Sequence, residues 1–367
     1  RRPPRSTLSS SSAASDVYKR QVYDAIFEQC GVIRGDTLEE IFDYVKAFSS
    51  QPLPRGNNVA IITNSGGPGI LATDSCIRYG LNISPLSKKA RNTLKDILPP
   101  TASLNNPIDL IAEAQHEQYE ATLKTVLGQN NIHSALVILT PTAFTDVEKV
   151  AKSIIKVSKR IRKPIVSCFL GVYDVSKGIE LLEENQIPDY RFPESSARAL
   201  AEMSKFTEWL KRPKTRIKKY RVDTAEACRI IEQVKQEGRS FLLEQEAYEV
   251  LKAYGFPVIN SFLAASETQA VSAALEIGFP VVMKIASPDV LHKFDFGGIV
   301  LNIKNKTEVQ KAYNGILRNI RAKLPKARIT GVMVEEMAAG GKEVILGMNH
   351  NEQFGPVLMF GMGGIYV

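Results

Sequence analysis

A glycine-rich turn at residues 64–69, NSGGPG, has residue types that could bind an anion; it follows a β-rich run and opens a helical pattern. The first N–H groups of a helix and its dipole attract negative charge, and glycine lets the backbone approach a ligand closely. The turn matches neither the GxGxxG fingerprint nor a Walker A loop. Spacing alone leaves a phosphate site and an ordinary tight turn equally open. The candidate phosphate-binding residues are Asn64, Ser65, Gly66, Gly67 and Gly69.

His292 is the one histidine that lies in a dense polar segment, KIASPDVLHKFDFGG at residues 284–298. It is flanked by Lys293 and Asp295, so the imidazole could act as a mobile nucleophile oriented by a carboxylate. Lys284, at the end of a predicted strand, could neutralise nucleotide phosphates. The alternative is a surface loop in which the histidine has no function.

The C-terminal third offers further candidates for a nucleotide site. Glu335 and Glu336 end a predicted strand, and Glu343 opens the next one. Carboxylates at strand ends could bind an adenine amino group, a ribose hydroxyl or magnesium, although they are more often plain solvated charges. Gly363 and Gly364 belong to a GMGG segment that is a candidate phosphate-approach loop.

The composition limits the class of protein. A length of 367 residues suggests two or three domains, and 44% hydrophobic with 23% charged residues is typical of a globular chain. No apolar run approaches the ~20 residues of a membrane helix, so we expect no membrane partner. The four cysteines form no CxxC pair. This spacing predicts a reducing compartment, the cytoplasm, and neither a disulfide framework nor a cysteine zinc site.

The formal net charge of +8 comes mainly from two segments outside the predicted domains. One is the basic tail at residues 1–21, and the other is residues 211–222, which contain seven lysines or arginines and no acid. Basic linkers are usually just solvated, so we expect no nucleic-acid partner.

Between residues 56 and 210 the chain alternates between strand and helix patterns, which is typical of βαβ units around a parallel sheet. We therefore predict an α/β, flavodoxin-like domain, in which a polar turn at residues 106–109 could share the carboxyl edge of the sheet with residues 64–69. The predicted strands are residues 58–63, 81–84, 135–140 and 164–169.

Residues 241–367 have a different order of elements, which predicts an α+β domain. Its predicted helices are residues 245–254, 268–277 and 308–324, and its predicted strands are residues 257–261, 281–285, 298–303, 331–336 and 343–348.

The remaining boundaries follow from composition. Residues 1–21 read as a non-native or disordered leader, 22–50 as the C-terminal remnant of a preceding domain, and 211–240 as a basic linker and helix. The chain ends inside an apolar, glycine-rich run. We therefore expect a fragment at both ends.

Taken together, these segments resemble the ADP-forming acyl-CoA synthetases, or acetate–CoA ligases, which are relatives of succinyl-CoA synthetase with an ATP-grasp domain. The resemblance covers residues 22–367, and the block SPDVLHK–D–GG makes it specific. Its carriers are NVAIITNSGGPGILATD, NNPIDL, LTPTAFTD and PIVSCFLG in the first domain, and LLEQEAYEVLKAYGFPV, GFPVVMKIASPDVLHKFDFGGIVLNI, GVMVEEM and QFGPVLMFGMGGIYV in the second.

The resemblance implies a ligase that interconverts acyl-CoA, ADP and phosphate with a carboxylic acid, CoA and ATP through acyl phosphate and phosphohistidine intermediates. It implies that residues 65–69 match the helix start that stabilises the phosphohistidine, and that His292 matches the swinging histidine. Lys284 matches the nucleotide-phosphate lysine, Glu335 or Glu336 the adenine-side hinge, and Glu343 an acid of the nucleotide site. The implied cofactors are ATP/ADP, Mg²⁺ and coenzyme A.

The departures from the family pattern matter as well. The family places a Rossmann-type CoA-binding domain first and a phosphohistidine just before the segment that matches residues 22–31, where this chain has serines and alanines and no histidine. The family's magnesium-binding acids follow the GGIYV segment, so no metal ligand is expected here. We therefore expect these 367 residues to be inactive alone.

The partners implied by the resemblance are the small substrates, the missing CoA-binding domain of the same chain and further copies of the protein in a homo-oligomer. Two alternatives share the same segments. One is the ligand-sensing part of a protein acyltransferase, and the other is a non-catalytic binding module.

Overall fold

The computed structural model describes residues 12–213, 216–290, 292–338 and 340–363, with side chains from residue 20 onward. The chain divides after residue 215 into two units, each with its own hydrophobic core. Among the described residues, no helix is long and apolar enough to cross a membrane.

The first unit begins with two helices, α1 (Ser12–Cys30) and α2 (Leu38–Ser50). The helix α1 starts inside residues 1–21, which the sequence predicts as a leader. That segment has no apolar periodicity from which a helix could be predicted. The hydroxyl of Thr37 caps the start of α2, where it accepts a hydrogen bond from the N–H of Glu40 at 3.2 Å.

A parallel sheet forms the centre of the first unit, as predicted. Its order is β2-β1-β4-β5, and β3 pairs with the carboxyl end of β1. Residues between 56 and 213 form the strands β1 (Asn58–Thr63), β2 (Asn82–Ile83), β3 (Ile108–Asp109), β4 (Ser134–Leu139) and β5 (Ile165–Phe169), and the helices α3 (Gly66–Arg78), α4 (Lys88–Lys95), α5 (His116–Leu127), α6 (Val147–Ser158), α7 (Ser176–Glu184) and α8 (Pro193–Lys211).

Helices cover both faces of this sheet. Ala60 and Ile62 point into a core with α4, α5, α6 and α7, while Val59 and Ile61 point into a second core with α2, α3 and α8. A sheet buried on both faces requires nearly continuous apolar strands, and every residue of β4 and β5 is buried. Only the ends of the strands are therefore available for polar chemistry.

The second unit is an α+β arrangement around an antiparallel four-stranded sheet of order β6-β9-β7-β8. A separate antiparallel pair, β10–β11, follows, although β11 lies in a stretch for which no strand is predicted. The elements are α9 (Thr224–Gln236), α10 (Glu244–Ala253), β6 (Ser261–Ala264), α11 (Glu267–Ile277), β7 (Val281–Ala286), β8 (Ile299–Ile303), α12 (Lys306–Lys323), β9 (Gly331–Glu336), β10 (Val344–Asn351) and β11 (Gly355–Met362).

The two faces of this antiparallel sheet differ in chemistry. Val281, Met283 and Ile285 alternate toward a core shared with α11 and α12. The residues between them in sequence point to the opposite face, where Lys284 of β7 meets Glu335 of β9. One face is thus structural, while the other carries charged side chains.

Candidate active site

The turn after β1 bends through a hydrogen-bonded exchange between Thr63 and Ser65. The hydroxyl of Thr63 accepts from the N–H of Ser65 at 3.0 Å and donates to its carbonyl oxygen at 2.9 Å. Ser65 then serves as the N-cap residue of α3. Because the strand is buried and the helix starts at its end, the turn points the first N–H groups of α3 out of the carboxyl edge.

Two glycines at the start of α3 are accessible. Gly66 and Gly67 are exposed, and a Cβ added at Gly67 would meet no atom within 4 Å. The first N–H groups of a helix have no intrahelical acceptor, so those of this turn are available to an anion. Asp109 limits this site, because its carboxylate oxygen lies 3.5 Å from an added Cβ at Gly66.

Two of the predicted phosphate-binding residues have structural contacts instead. Asn64 is buried, and its side chain donates to the carbonyl oxygen of Thr140 and accepts from the N–H of Thr140, both at 2.8 Å. Gly69 is buried, its N–H donates to Ser65 at 3.3 Å, and an added Cβ would press on Thr63 at 3.0 Å. Ser65, Gly66 and Gly67 are the accessible part of the turn.

A cluster of two lysines, two glutamates and a tyrosine occupies the charged face of the second unit. The ammonium of Lys284 lies 2.7 Å from Glu244 Oε1 and 2.6 Å from Glu335 Oε2. Lys293 pairs with the other oxygen of Glu244, and the hydroxyl of Tyr248 lies within 3.3 Å of Glu244 and 3.4 Å of Glu335. We call these five residues the lysine–glutamate cluster.

Burial sets the electrostatics of this cluster. Glu335 is 1% exposed, and its burial raises the pKa of its carboxyl group. Burial also acts against the charge of Glu244, but the hydrogen bonds from Lys284 and Lys293 lower its pKa to about 2. Burial and Glu335 raise the pKa of Tyr248 to about 12. With two ammonium groups and two carboxylates, the cluster is close to neutral as a whole.

The segment that follows β7 carries the candidate nucleophile. His292 is exposed and lies beside Lys293, whose carbonyl oxygen accepts from the N–H of Gly298 at 2.8 Å. Asp295 is also exposed, and no hydrogen bond between its carboxylate and the imidazole is found among the described residues. Its carbonyl oxygen accepts from Lys323 at 3.2 Å.

The other nucleotide-site candidates lie apart from the cluster. Glu336 is exposed at the end of β9, where its carboxylate accepts from the amide of Asn260 at 3.3 Å. Glu343 is exposed before β10, and its carbonyl oxygen accepts from the N–H of Gly363 at 2.9 Å. This bond extends the β10–β11 pairing, so the N–H of Gly363 is not available as a loop donor. Gly364 lies outside the described residues.

Sequence reasoning missed Glu244 and Tyr248, and it gave Lys293 no partner. Glu244 is the first residue of α10, and an acid there is also an ordinary favourable contact with a helix dipole. Glu244 lies 40 residues before Lys284 in the chain, and the fold brings the two side chains together. No local pattern carries that information.

Family models match both units. Residues 59–214 match the Ligase-CoA domain, and residues 233–367 match the ATP-grasp domain. The chain is 41% identical over 347 residues to 4-hydroxybutyrate–CoA ligase (ADP-forming) of Nitrosopumilus maritimus, covering 95% of this chain and 50% of the relative. It is 37% identical over 350 residues to acetate–CoA ligase (ADP-forming) I of Archaeoglobus fulgidus, covering 95% and 49%.

The chain belongs to the ADP-forming acyl-CoA synthetases. It spans about half the length of the curated relatives it matches. Among solved structures, PH0766 of Pyrococcus horikoshii aligns with a TM-score of 0.51 and 38% identity, over 53% of this chain and 45% of that one. An acetyl-coenzyme A synthetase of Ca. Korarchaeum cryptofilum, in complex with phosphate and ADP, aligns with a TM-score of 0.51 and 27% identity, over 53% and 44%.

Within this family member, the two candidate regions fall in different domains. The glycine turn lies in the Ligase-CoA domain, while Lys284, Glu335 and His292 lie in the ATP-grasp domain.

Proposed function

We propose that this chain is part of an acid–CoA ligase that converts acyl-CoA, ADP and phosphate into a carboxylic acid, CoA and ATP. Phosphate displaces CoA to form an acyl phosphate, a histidine takes the phosphoryl group as the acid leaves, and ADP takes it from the histidine to form ATP. The relatives reported above are named as ligases, which favours this function over a ligand-sensing module or a non-catalytic one.

The observation that carries this proposal is the position of His292 beside the lysine–glutamate cluster. Phosphoryl transfer is catalysed mainly by positioning and by neutralising charge. Lys284 supplies one ammonium group on the charged face of the sheet, and Lys293, which directly follows the exposed His292 in the chain, supplies a second. The imidazole would carry the phosphoryl group, while Lys284 would neutralise nucleotide phosphates.

The glycine turn would hold the same phosphoryl group during the earlier steps. The N–H groups of Gly66 and Gly67 are free of intrahelical partners, and the open space at Gly67 admits a tetrahedral anion. Ser65 would add a hydroxyl. Asp109 lies close enough to Gly66 to disfavour an anion there, and this supports binding of the anion over Gly67.

ATP and CoA enter as substrates. The two ammonium groups of the cluster fit the phosphates of ATP, whereas no residue of this chain is assigned to CoA. Among the described residues, no group of three acidic, histidine or cysteine side chains could hold a metal ion, so no magnesium site is assigned here. Asp295, Glu336 and Glu343 keep their proposed roles as an orienting acid and as nucleotide contacts.

The proposed assembly includes a CoA-binding domain in the same protein and more than one copy of it. Relatives named as alpha and beta subunits of acetate–CoA ligase in Pyrococcus furiosus match this chain at 39% over 183 residues and 49% over 143 residues. The cysteines Cys30, Cys76, Cys168 and Cys228 are free, which agrees with a reducing compartment, and the cytoplasm is the proposed location.

Phosphorylation from labelled ATP tests this function. The protein expressed from the complete reading frame is incubated with magnesium and γ-labelled ATP, next to His292→Ala and the matched control His350→Ala, an exposed histidine of the same unit. We expect acid-labile, base-stable label in the wild type and in His350→Ala, and none on His292→Ala in the ATP-grasp domain. A wild type that never acquires such label would refute the ligase assignment.

A further inference from the structure

One carboxylate holds two lysines that the proposed function uses differently. Oxygen Oε1 of Glu244 lies 2.7 Å from Lys284, which stands on β7, while Oε2 pairs with Lys293, which lies in the segment that carries His292. Glu244 itself begins α10, a third element of the unit. The side chain is therefore the junction between the nucleotide lysine and the histidine segment.

Lys293 is fixed from two sides. Its carbonyl oxygen accepts from Gly298 at 2.8 Å, which closes the segment as a loop, and its ammonium is held by Glu244. His292 precedes it directly and is exposed. Because His292 adjoins Lys293 in the chain, release of Lys293 by Glu244 would also loosen the backbone that carries the imidazole.

Charge and burial in the cluster indicate which carboxylate an incoming phosphate can displace. A phosphate that approaches Lys284 needs a cation, but both ammonium groups are already neutralised by carboxylates. Tyr248 contacts both glutamates, but Glu335 is only 1% exposed, so its carboxylate cannot leave easily. The side chain of Glu244 is 22% exposed, which makes it the carboxylate that an incoming phosphate can displace.

The structure provides room for this displacement. A cavity of about 120 Å³ borders Glu244 and Lys293, and its other walls include Leu243, Ala286 and Val290. A carboxylate that swings away from Lys284 can enter this space without unfolding α10. The cavity also lies next to the segment that would then be released.

We propose that Glu244 is a positioning residue that couples nucleotide binding to release of the His292 segment. It holds Lys284 and Lys293 together when no nucleotide is bound. The phosphates of a nucleotide compete with Glu244 for these lysines. When Glu244 no longer binds Lys293, the segment that carries His292 is free to move for phosphoryl transfer. This inference rests on the proposed function, because it requires that nucleotide phosphates bind at Lys284.

The test combines ATP affinity with hydrogen–deuterium exchange of residues 293–298 in the protein made from the complete reading frame. Glu244→Gln keeps the shape of the side chain and removes its charge. Glu249→Gln is the matched control, because this glutamate lies exposed on the same helix and, among the described residues, pairs only with Lys252, at 3.0 Å.

Without nucleotide, we expect faster exchange of residues 293–298 in Glu244→Gln than in the wild type and in Glu249→Gln. Magnesium–ATP should increase the exchange rate of the same amides in the wild type but leave their exchange rate in Glu244→Gln unchanged. The variant should also bind ATP about fivefold more tightly, a factor that corresponds to about 1 kcal/mol for a partly exposed pair. A purely structural defect would weaken ATP binding.

Two failures can be told apart. If the wild type binds ATP, yet Glu244→Gln has the same affinity and the same exchange, the coupling is wrong and the nucleotide site stands. If the wild type binds no ATP at millimolar concentration, the nucleotide site itself is refuted, and the coupling falls with it.

Discussion

The glycine turn of the first unit and the lysine–glutamate cluster of the second unit offer phosphate two different environments. The turn presents backbone N–H groups fixed by a strand and a helix, with open space at Gly67. The cluster presents ammonium groups on side chains that are already paired with Glu244 and Glu335. The glycine turn can bind an anion without rearrangement, whereas the lysine–glutamate cluster must replace a carboxylate with the incoming phosphate.

The difference indicates where regulation is possible. A backbone site binds with little rearrangement, because its dipoles are held by the fold. A self-neutralised cluster responds to its ligand by moving a side chain, and that movement can be passed to a neighbour. We therefore expect substitutions at the exposed glycines of the turn to change affinity alone, and substitutions in the cluster to change stability and coupling together.

The largest effect is expected from Lys284→Met. This change leaves Glu335 buried without its cation, and loss of one partner of a buried pair destabilises a protein by about 3–5 kcal/mol. Because Glu335 can take up a proton, we expect the lower end of that range for the second unit. Urea unfolding followed by amide exchange measures it, and the double variant Lys284→Met/Glu335→Gln should recover much of the loss.

The first unit also contains a buried acid, and burial raises its pKa as it raises that of Glu335. Burial raises the pKa of Asp189 to about 6, although its carboxylate accepts from the N–H of Phe169 at 3.0 Å. A raised pKa means that the folded state binds the proton more readily. Stability of the first unit should therefore rise as the pH falls from about 6 to about 4.

Asp189→Asn should remove this pH dependence and stabilise the first unit at pH 7 by about 2–3 kcal/mol, since one pKa unit corresponds to about 1.4 kcal/mol. The fluorescence of the single tryptophan, Trp209 in α8, reports the unfolding of this unit. An unchanged pH profile in Asp189→Asn would mean that another group controls it.

Glu244 gives the reverse pH response in the second unit. Its pKa is held at about 2 in the folded state, below its ordinary value of 4.5, so its stabilising contribution is present above pH 4.5 and is lost as the pH falls toward 2. Glu244→Gln should flatten this part of the profile relative to Glu249→Gln. Because the side chain is partly exposed, we expect a difference of about 1 kcal/mol. Equal profiles for the two variants would contradict the ion pairs.

Asn64→Ala tests the hydrogen bonds that join the glycine turn to Thr140. It removes both hydrogen bonds to Thr140 and leaves the half-buried N–H and carbonyl of that residue without these partners, each bond worth about 0.5–1 kcal/mol. We expect the first unit to lose about 1–2 kcal/mol, and the Trp209 transition measures this loss. A variant as stable as the wild type would show that water replaces these contacts.

The smallest effect on stability is expected from Gly67→Val. An added side chain meets no protein atom at this position, so the first unit should unfold within about 0.5 kcal/mol of the wild type. The phosphohistidine intermediate should nevertheless be shorter-lived, because the branched side chain occupies the space over the helix start. Gly67→Ala serves as the intermediate step, and an unchanged lifetime in both variants would remove the turn from the phosphate path.

Local patterns were enough to predict the strand, turn and helix around residues 64–69. The β-branched run and the glycines lie within one stretch of chain, and β1 and α3 form there. They could not show that Asn64 is bonded to Thr140, 76 residues away. That contact depends on the pairing of β1 with β4.

The same limit applies to the second unit. Lys284 was predicted because it ends a strand, but its partners Glu244 and Glu335 come from an earlier helix and a later strand. The glycines near residue 363 suggested a loop because glycine is rare in strands. Gly361 instead lies within β11 and pairs with Ile345, and this partner lies outside any local window.

The central claim is that the imidazole of His292 accepts a phosphoryl group. Mass-spectrometric mapping of the protein from the complete reading frame, digested at alkaline pH after incubation with magnesium–ATP, tests it most directly. We expect a peptide that contains residue 292 with one added phosphate, and we expect that phosphate to be lost when ADP is supplied. Phosphate found only on other residues, or retained at position 292 in the presence of ADP, would contradict it.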